Sequence, residues 1–106
     1  MGIFVICAYR PKPGKDELLL EVVRNHLPVL RAEGLATDRP AHVMRAADGT
    51  LVEVFEWVSQ EAIEAAHKNL NVQAMWGQFW EACDIDCIGN LEESKQPFSH
   101  FTPVDL

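Results

Sequence analysis

Residues 3–9, Ile-Phe-Val-Ile-Cys-Ala-Tyr, are an unbroken apolar run rich in β-formers, which predicts a strand covered on both faces. Two prolines and a glycine in residues 10–14 then force a turn. From Asp16, placed to cap a helix, the apolar period changes: Leu20, Val23, Leu27 and Leu30 step by three, four and three. That spacing predicts one stripe on a helix reaching about residue 33. Pro28 lies inside it and is expected to kink it by removing a backbone hydrogen bond; Gly34 is its stop. Residues 41–47 and 50–58 read as two strands around Asp48-Gly49, a strong hairpin signal. Ser59 caps a further helix, interrupted at residues 68–71. A second helical piece carries Val72, Met75, Trp76, Phe79 and Cys83. Residues 85–91 make the last strand, and residues 92–106 are a tail with Phe98, Phe101 and Val104.

The order strand, helix, strand, strand, helix, strand is the ferredoxin-like βαββαβ arrangement: one antiparallel four-stranded sheet with two helices on one face. Residues 1–91 form this domain, and residues 92–106 are expected to pack on it or on a partner subunit. If the Asp48-Gly49 turn has two residues, Arg45 faces Val52, Val43 faces Val54 and Ala41 faces Glu56. His42, Met44, Leu51, Glu53, Phe55 and Trp57 then share the other face. Both faces are largely apolar, and two helices cover only one, so a homodimer through the second sheet face is expected. The valine-rich face is assigned to the helices and the aromatic face to the partner.

Composition narrows the functional classes. The chain of 106 residues is one domain's worth. Its net charge of −7 comes with no basic stripe, against nucleic acid and anionic membrane as partners. No run is long enough to span a membrane, and the apolar start lacks the basic lead of a signal peptide. Three cysteines cannot all pair, pointing to a reducing, cytoplasmic setting. Cys83 and Cys87 fit no zinc spacing, and no metal site is expected. Cys7 reads as a small core residue.

The stretch Val54-Phe55-Glu56-Trp57-Val58-Ser59-Gln60-Glu61-Ala62, continuing to Ala66-His67, resembles the core of the antibiotic-biosynthesis-monooxygenase family of dimeric α/β barrels. In that family's pattern a strand ends in Glu-x-Trp and a capped helix reaches a histidine nine residues later. Glu56 and His67 occupy the Glu and His positions. Val58 stands at the Trp position, with Trp57 one place earlier, and Val72 replaces a second family histidine. The resemblance implies a cofactor-independent monooxygenase acting on a small aromatic, quinol or polyketide-like hydroxyl compound. Its haem-degrading branch uses a histidine in the later helix; Val72 to Trp80 contains none, so haem chemistry is not expected. A non-catalytic small-ligand-binding or assembly module on the same fold is the alternative.

His67 reads either as a general base or as a helix-end histidine matching the local dipole. Glu56 reads as a carboxylate sharing a cleft with His67, or as a strand-end group reaching solvent. His42 and Glu53 are placed diagonally across the hairpin, as a catalytic pair or an inter-subunit hydrogen bond. Arg45 would orient an acidic or carbonyl group, or form a surface ion pair. Trp57 and Trp80 are the candidate pocket aromatics, whereas Trp76 and Phe79 fit the core stripe.

Overall fold

The computed structural model describes residues 2–106. Strand β1 (Ile3–Pro11) is followed by helix α1 (Asp16–Ala32), the hairpin β2 (His42–Arg45) and β3 (Leu51–Trp57), helices α2 (Gln60–Ala66) and α3 (Leu70–Ala82), and strand β4 (Cys83–Asp86). Two short 3-10 turns, Ile88–Asn90 and Glu92–Lys95, lead to strand β5 (Thr102–Pro103). The result is a small α+β domain with a five-stranded sheet in the order β4-β1-β3-β2-β5, every pairing antiparallel.

Local chemistry explains the boundaries. Helix α1 ends where Gly34 takes φ 73° and the amides of Gly34 and Leu35 close on the carbonyls of Arg31 and Leu30. Only glycine adopts that conformation without strain. Asp16 is the first residue of α1, not its cap; Lys15 precedes it and makes no side-chain capping bond. An acid there still suits the positive helix end. Ser59 Oγ accepts from the Ala62 amide and caps α2. Asn69 Oδ1 accepts from the Asn71 and Val72 amides, so α3 starts afresh where the sequence pattern breaks.

The hairpin differs from expectation by one residue, and that difference exchanges the faces of β2 relative to β3. The Ala46 amide bonds the Thr50 carbonyl, the Gly49 amide bonds the Ala46 carbonyl, and Gly49 has φ 94°. This is a three-residue loop with a glycine bulge rather than a two-residue turn. His42 therefore faces Val54, Val43 faces Glu53, and Arg45 faces Leu51. Because side chains alternate along a strand, a shift of one exchanges the faces. Leu51, Phe55 and Trp57 meet the helices, packing with Leu19, Val23, Leu30, Met75 and Phe79 in the main core, and Glu53 on the same face meets His26 of α1. The aromatic face of β3 is the helix face, the reverse of the expected assignment, and Val43 joins it; Val52, Val54 and Glu56 lie on the other.

Two further elements correct the sequence reading. The buried stripe of α1 is Leu19, Val22, Val23, His26, Leu27 and Leu30, with Leu20 at its edge. The last strand begins at Cys83 and stops at Asp86, where Asp86 Oδ1 accepts from the Cys87 amide and Asn90 Nδ2 and turns the chain away. The following segment lays Leu91, Ile88 and Phe101 over Ala46 and Val52 on the second sheet face. It leaves Phe4 and Ile6 there 56% and 53% exposed.

Candidate functional site

Between the sheet and helices α1 and α3 lies a pocket of about 330 Å³, open at one side and lined mainly by apolar and aromatic groups. Phe55, Trp57, Trp76 and Phe79 form its walls, Cys7, Tyr9, His26 and Asp86 its polar points, and Trp80 and Ile85 its rim. Trp80 is 63% exposed, unusual for so large an apolar surface.

Beside it sits a buried polar cluster. Strand pairing sets Glu53 opposite Cys7, which makes Tyr9 its diagonal neighbour on the same face. His26 reaches it from α1. The Tyr9 hydroxyl donates to Glu53 Oε1 at 2.8 Å, and His26 Nδ1 lies 2.7 Å from the same oxygen. An ionised carboxylate only accepts, so Nδ1 carries the proton and donates. All three residues are buried. The His26 ring stands edge-on to Phe55 and Phe79, with centroids 5.2 and 5.0 Å away. Its orientation is therefore fixed by two aromatic faces and one carboxylate. Nε2 is left as the free acceptor, on the residue that lines the pocket. This is the arrangement in which a histidine takes a proton and a buried acid stabilises the imidazolium that results.

Electrostatics keep the neighbours protonated. Burial pushes the Tyr9 hydroxyl well above its usual range, and the Glu53 charge adds to that, so Tyr9 is a hydrogen-bond donor at neutral pH. Burial likewise pushes the Cys7 thiol up to about 11; the Tyr9 hydroxyl opposes the shift and the Glu53 charge reinforces it. Cys7 is thus a protonated, weakly reactive wall group.

The residues singled out from sequence are distributed differently. Trp57 and Trp80 line the pocket. Glu56 lies on the opposite sheet face, accepting from Thr37 Oγ1 at 2.8 Å and Arg39 Nε at 2.9 Å. The Arg39 bond, followed by that of Thr37, holds its carboxyl below the usual range. Glu56 therefore shares no cleft with His67. His67 is exposed on the far side of Trp76, its ring 5.2 Å from the indole, with Nδ1 donating to the Ile63 carbonyl. His42 is exposed on the second sheet face, away from Glu53. Arg45, on the helix face, pairs with Leu51 and Thr102 along the sheet and lines no part of the pocket. His26 and Tyr9 escaped sequence reasoning. The available signal was a histidine at the centre of an apolar helix stripe, three residues after Val23 and four before Leu30. Among the described residues no three His, Cys, Asp or Glu side chains are grouped to hold a metal ion, and no helix is long and apolar enough to cross a membrane.

No protein-family model matches the chain, and no match is found among curated proteins. Solved structures do resemble it. Rv0793 from Mycobacterium tuberculosis superposes with a TM-score of 0.64 at 20% identity, over 81% of this chain and 89% of that one. NE2512 from Nitrosomonas europaea, a protein of unknown function, gives 0.57 at 15% identity, over 78% and 82%. At such identities the likeness establishes a shared compact α+β fold.

Proposed function

We propose that the chain is a small oxygenase-type enzyme that binds an aromatic hydroxyl compound in the pocket and removes its phenolic proton with His26. The observation that carries this reading is the orientation of His26. Nδ1 is committed to Glu53 at 2.7 Å, while the residue borders an aromatic-walled cavity of about 330 Å³. A flat ring suits walls of Phe55, Trp57, Trp76 and Phe79, and the volume suits a compact fused-ring compound. Placing the hydroxyl at Nε2 makes proton removal effectively intramolecular.

The chemistry that follows needs an electron-rich ring and dioxygen as oxidant. Loss of the proton leaves the electron pair on the phenolate, delocalised into the ring and available to oxygen. Where the keto tautomer of the phenol carries a CH2 group, that carbon becomes a carbonyl. One atom of dioxygen enters it, and the other leaves as water with the two hydrogens, so the substrate supplies all four electrons. The protein contributes the base, the orientation and a dry pocket. In this reading His26 and Glu53 take the roles that the motif resemblance gave to His67 and Glu56, and Trp57 and Trp80 shape and gate the pocket.

The strand order β4-β1-β3-β2 with helices on one face fits the ferredoxin-like plan. The reading extends it to a dimeric barrel, with a second copy over the uncovered half of the sheet. Support comes from Phe4 and Ile6, both more than half exposed beside the partly buried Val54 and Met44. An apolar patch of that kind is costly to leave in water.

Oxygen uptake with a panel of dihydroxynaphthalenes tests the activity, with His26→Gln and His67→Ala variants alongside. Saturable uptake lost in His26→Gln and kept in His67→Ala is the expected result. Equal uptake by His26→Gln removes the base assignment. Absence of uptake across the panel, with tight binding retained, favours a ligand-binding module instead.

A further inference from the structure

Glu53 is a wall of a second cavity, of about 440 Å³, on the other side of the buried cluster. This cavity lies between α1, β2 and the C-terminal residues, and Leu27, Arg31, Ala41, Val43 and Val104 also line it. The two cavities share no lining residue: His26 and Tyr9 belong to the first, Glu53 to the second. The second cavity is the more polar, with Arg24, Arg31 and Asp105 around it. Its outer wall is held by the Val104 amide donating to the Val43 carbonyl at 2.9 Å.

Hydrogen bonding agrees with this division. Tyr9 and His26 both bond Glu53 Oε1, and no side chain or amide among the described residues bonds Oε2. Yet the one enclosed side-chain polar atom without a partner, among the described residues, is Thr50 Oγ1. Glu53 Oε2 is therefore not among the enclosed unpartnered atoms, and Glu53 is a lining residue of the second cavity.

A carboxylate closed off from water behind a catalytic histidine orients the ring and does not take its proton. One whose far oxygen meets a polar, water-sized space has somewhere to pass a proton. We propose that the second cavity is the proton port of the site: Glu53 links His26 to water behind it. This rests on His26 being the base in the first pocket. The phenolic O–H bond breaks and its electron pair stays on the substrate oxygen. Nε2 gains that proton, Nδ1 gives its own to the Glu53 carboxylate, and the carboxyl group rotates about its soft terminal torsion. Water in the second cavity then accepts the proton, restoring the carboxylate and leaving His26 neutral. With a ring filling the first pocket, this route bypasses the occupied mouth.

The test uses 4-nitrophenol, whose phenolate absorbs in the visible, mixed rapidly with the full chain at a pH where the free probe is protonated. A pH-indicator dye in weak buffer records proton release into bulk solvent at the same time. Two plugs from different elements, Ala41→Leu and Val104→Phe, fill the second cavity without touching the first, and circular dichroism checks that each is folded. Glu53→Gln keeps an acceptor for Tyr9 and His26 but takes no proton. We expect the wild type to ionise the bound probe. The plugs should slow proton release about tenfold or more at unchanged Kd, and Glu53→Gln should slow it about a hundredfold. Release at the wild-type rate in a folded plug variant, with His26→Gln silent, overturns the port and leaves the base assignment standing. Failure of the wild type to ionise bound probe, or ionisation undiminished in His26→Gln, overturns both.

Discussion

Replacing His26 by Leu asks why a polar cluster occupies this core. Removing one partner of a buried charged set costs about 3–5 kcal/mol, because a charge is left without compensation. Two features place this case at the low end. The Tyr9 hydroxyl still donates to Glu53 Oε1, and Glu53 also lines the second cavity. Leucine also returns about 1 kcal/mol of apolar burial between Phe55 and Phe79. A net loss of about 2–3 kcal/mol follows, or roughly 10–20 °C in Tm for a domain of this size. The triple variant Tyr9→Phe/His26→Leu/Glu53→Leu removes every member of the cluster. It should recover to within about 1 kcal/mol of wild type, as apolar replacement of a whole buried ionic group often does. Urea unfolding followed by far-UV circular dichroism, at one protein concentration, measures both. A loss below about 0.5 kcal/mol in His26→Leu, or a triple variant as weak as the single, would refute the reasoning. The expected pattern means that the cluster is retained for chemistry, since an apolar core is equally stable.

Other predictions follow from the same geometry. The Cys7 thiol, pushed up to about 11 from 9.0, keeps its proton in the fold while the unfolded chain ionises. Stability should therefore fall by roughly 2–3 kcal/mol between pH 9 and 11. Cys7→Ala should flatten that part of the alkaline slope; an unchanged slope assigns the loss to other groups such as Tyr9. Gly49→Ala places a Cβ at φ 94° with no atom near enough to clash, so backbone strain alone should cost about 1–2 kcal/mol in urea. Ile6→Glu should give a monomer by sedimentation where the wild type is a dimer, with the fold intact; a monomeric wild type rejects the sheet-face pairing.

Much of the fold was legible because its signals are local. The apolar run of β1, the stop at Gly34, the cap at Ser59 and the break before α3 each depend on a few neighbouring residues. The sheet faces were not: long-range packing decides which face of β3 meets the helices, and one hairpin residue decides which side of β2 joins it. Asp48-Gly49 suits both a two-residue turn and a three-residue loop with Gly49 as the bulge. The observed loop puts Val43 and Arg45, rather than His42 and Met44, on the face of Glu53. With Glu53 and Phe55 assigned to a partner, no pocket could be assembled around them. His26 was hidden by the choice of stripe: starting from Leu20 rather than Leu19 shifts the helix face, and a histidine in the core reads as a polar flank. Trp57 was recognisable from either side, since a large aromatic at a strand end beside two helices lines a cavity whichever face it takes. The contact between Tyr9, His26 and Glu53 joins three elements distant in sequence, and no local pattern encodes it.

The central claim is that His26, held by Glu53, is the base facing an aromatic hydroxyl. Nitrogen-15 chemical shifts of the His26 ring, titrated with 4-nitrophenol and with anisole as a control lacking the hydroxyl, test it most directly. Nδ1 should carry the proton in the free protein, and Nε2 should gain a proton signature as the phenol binds, with no such change for anisole. Unaltered His26 shifts in a protein saturated with the phenol, or a response confined to His67, would contradict it.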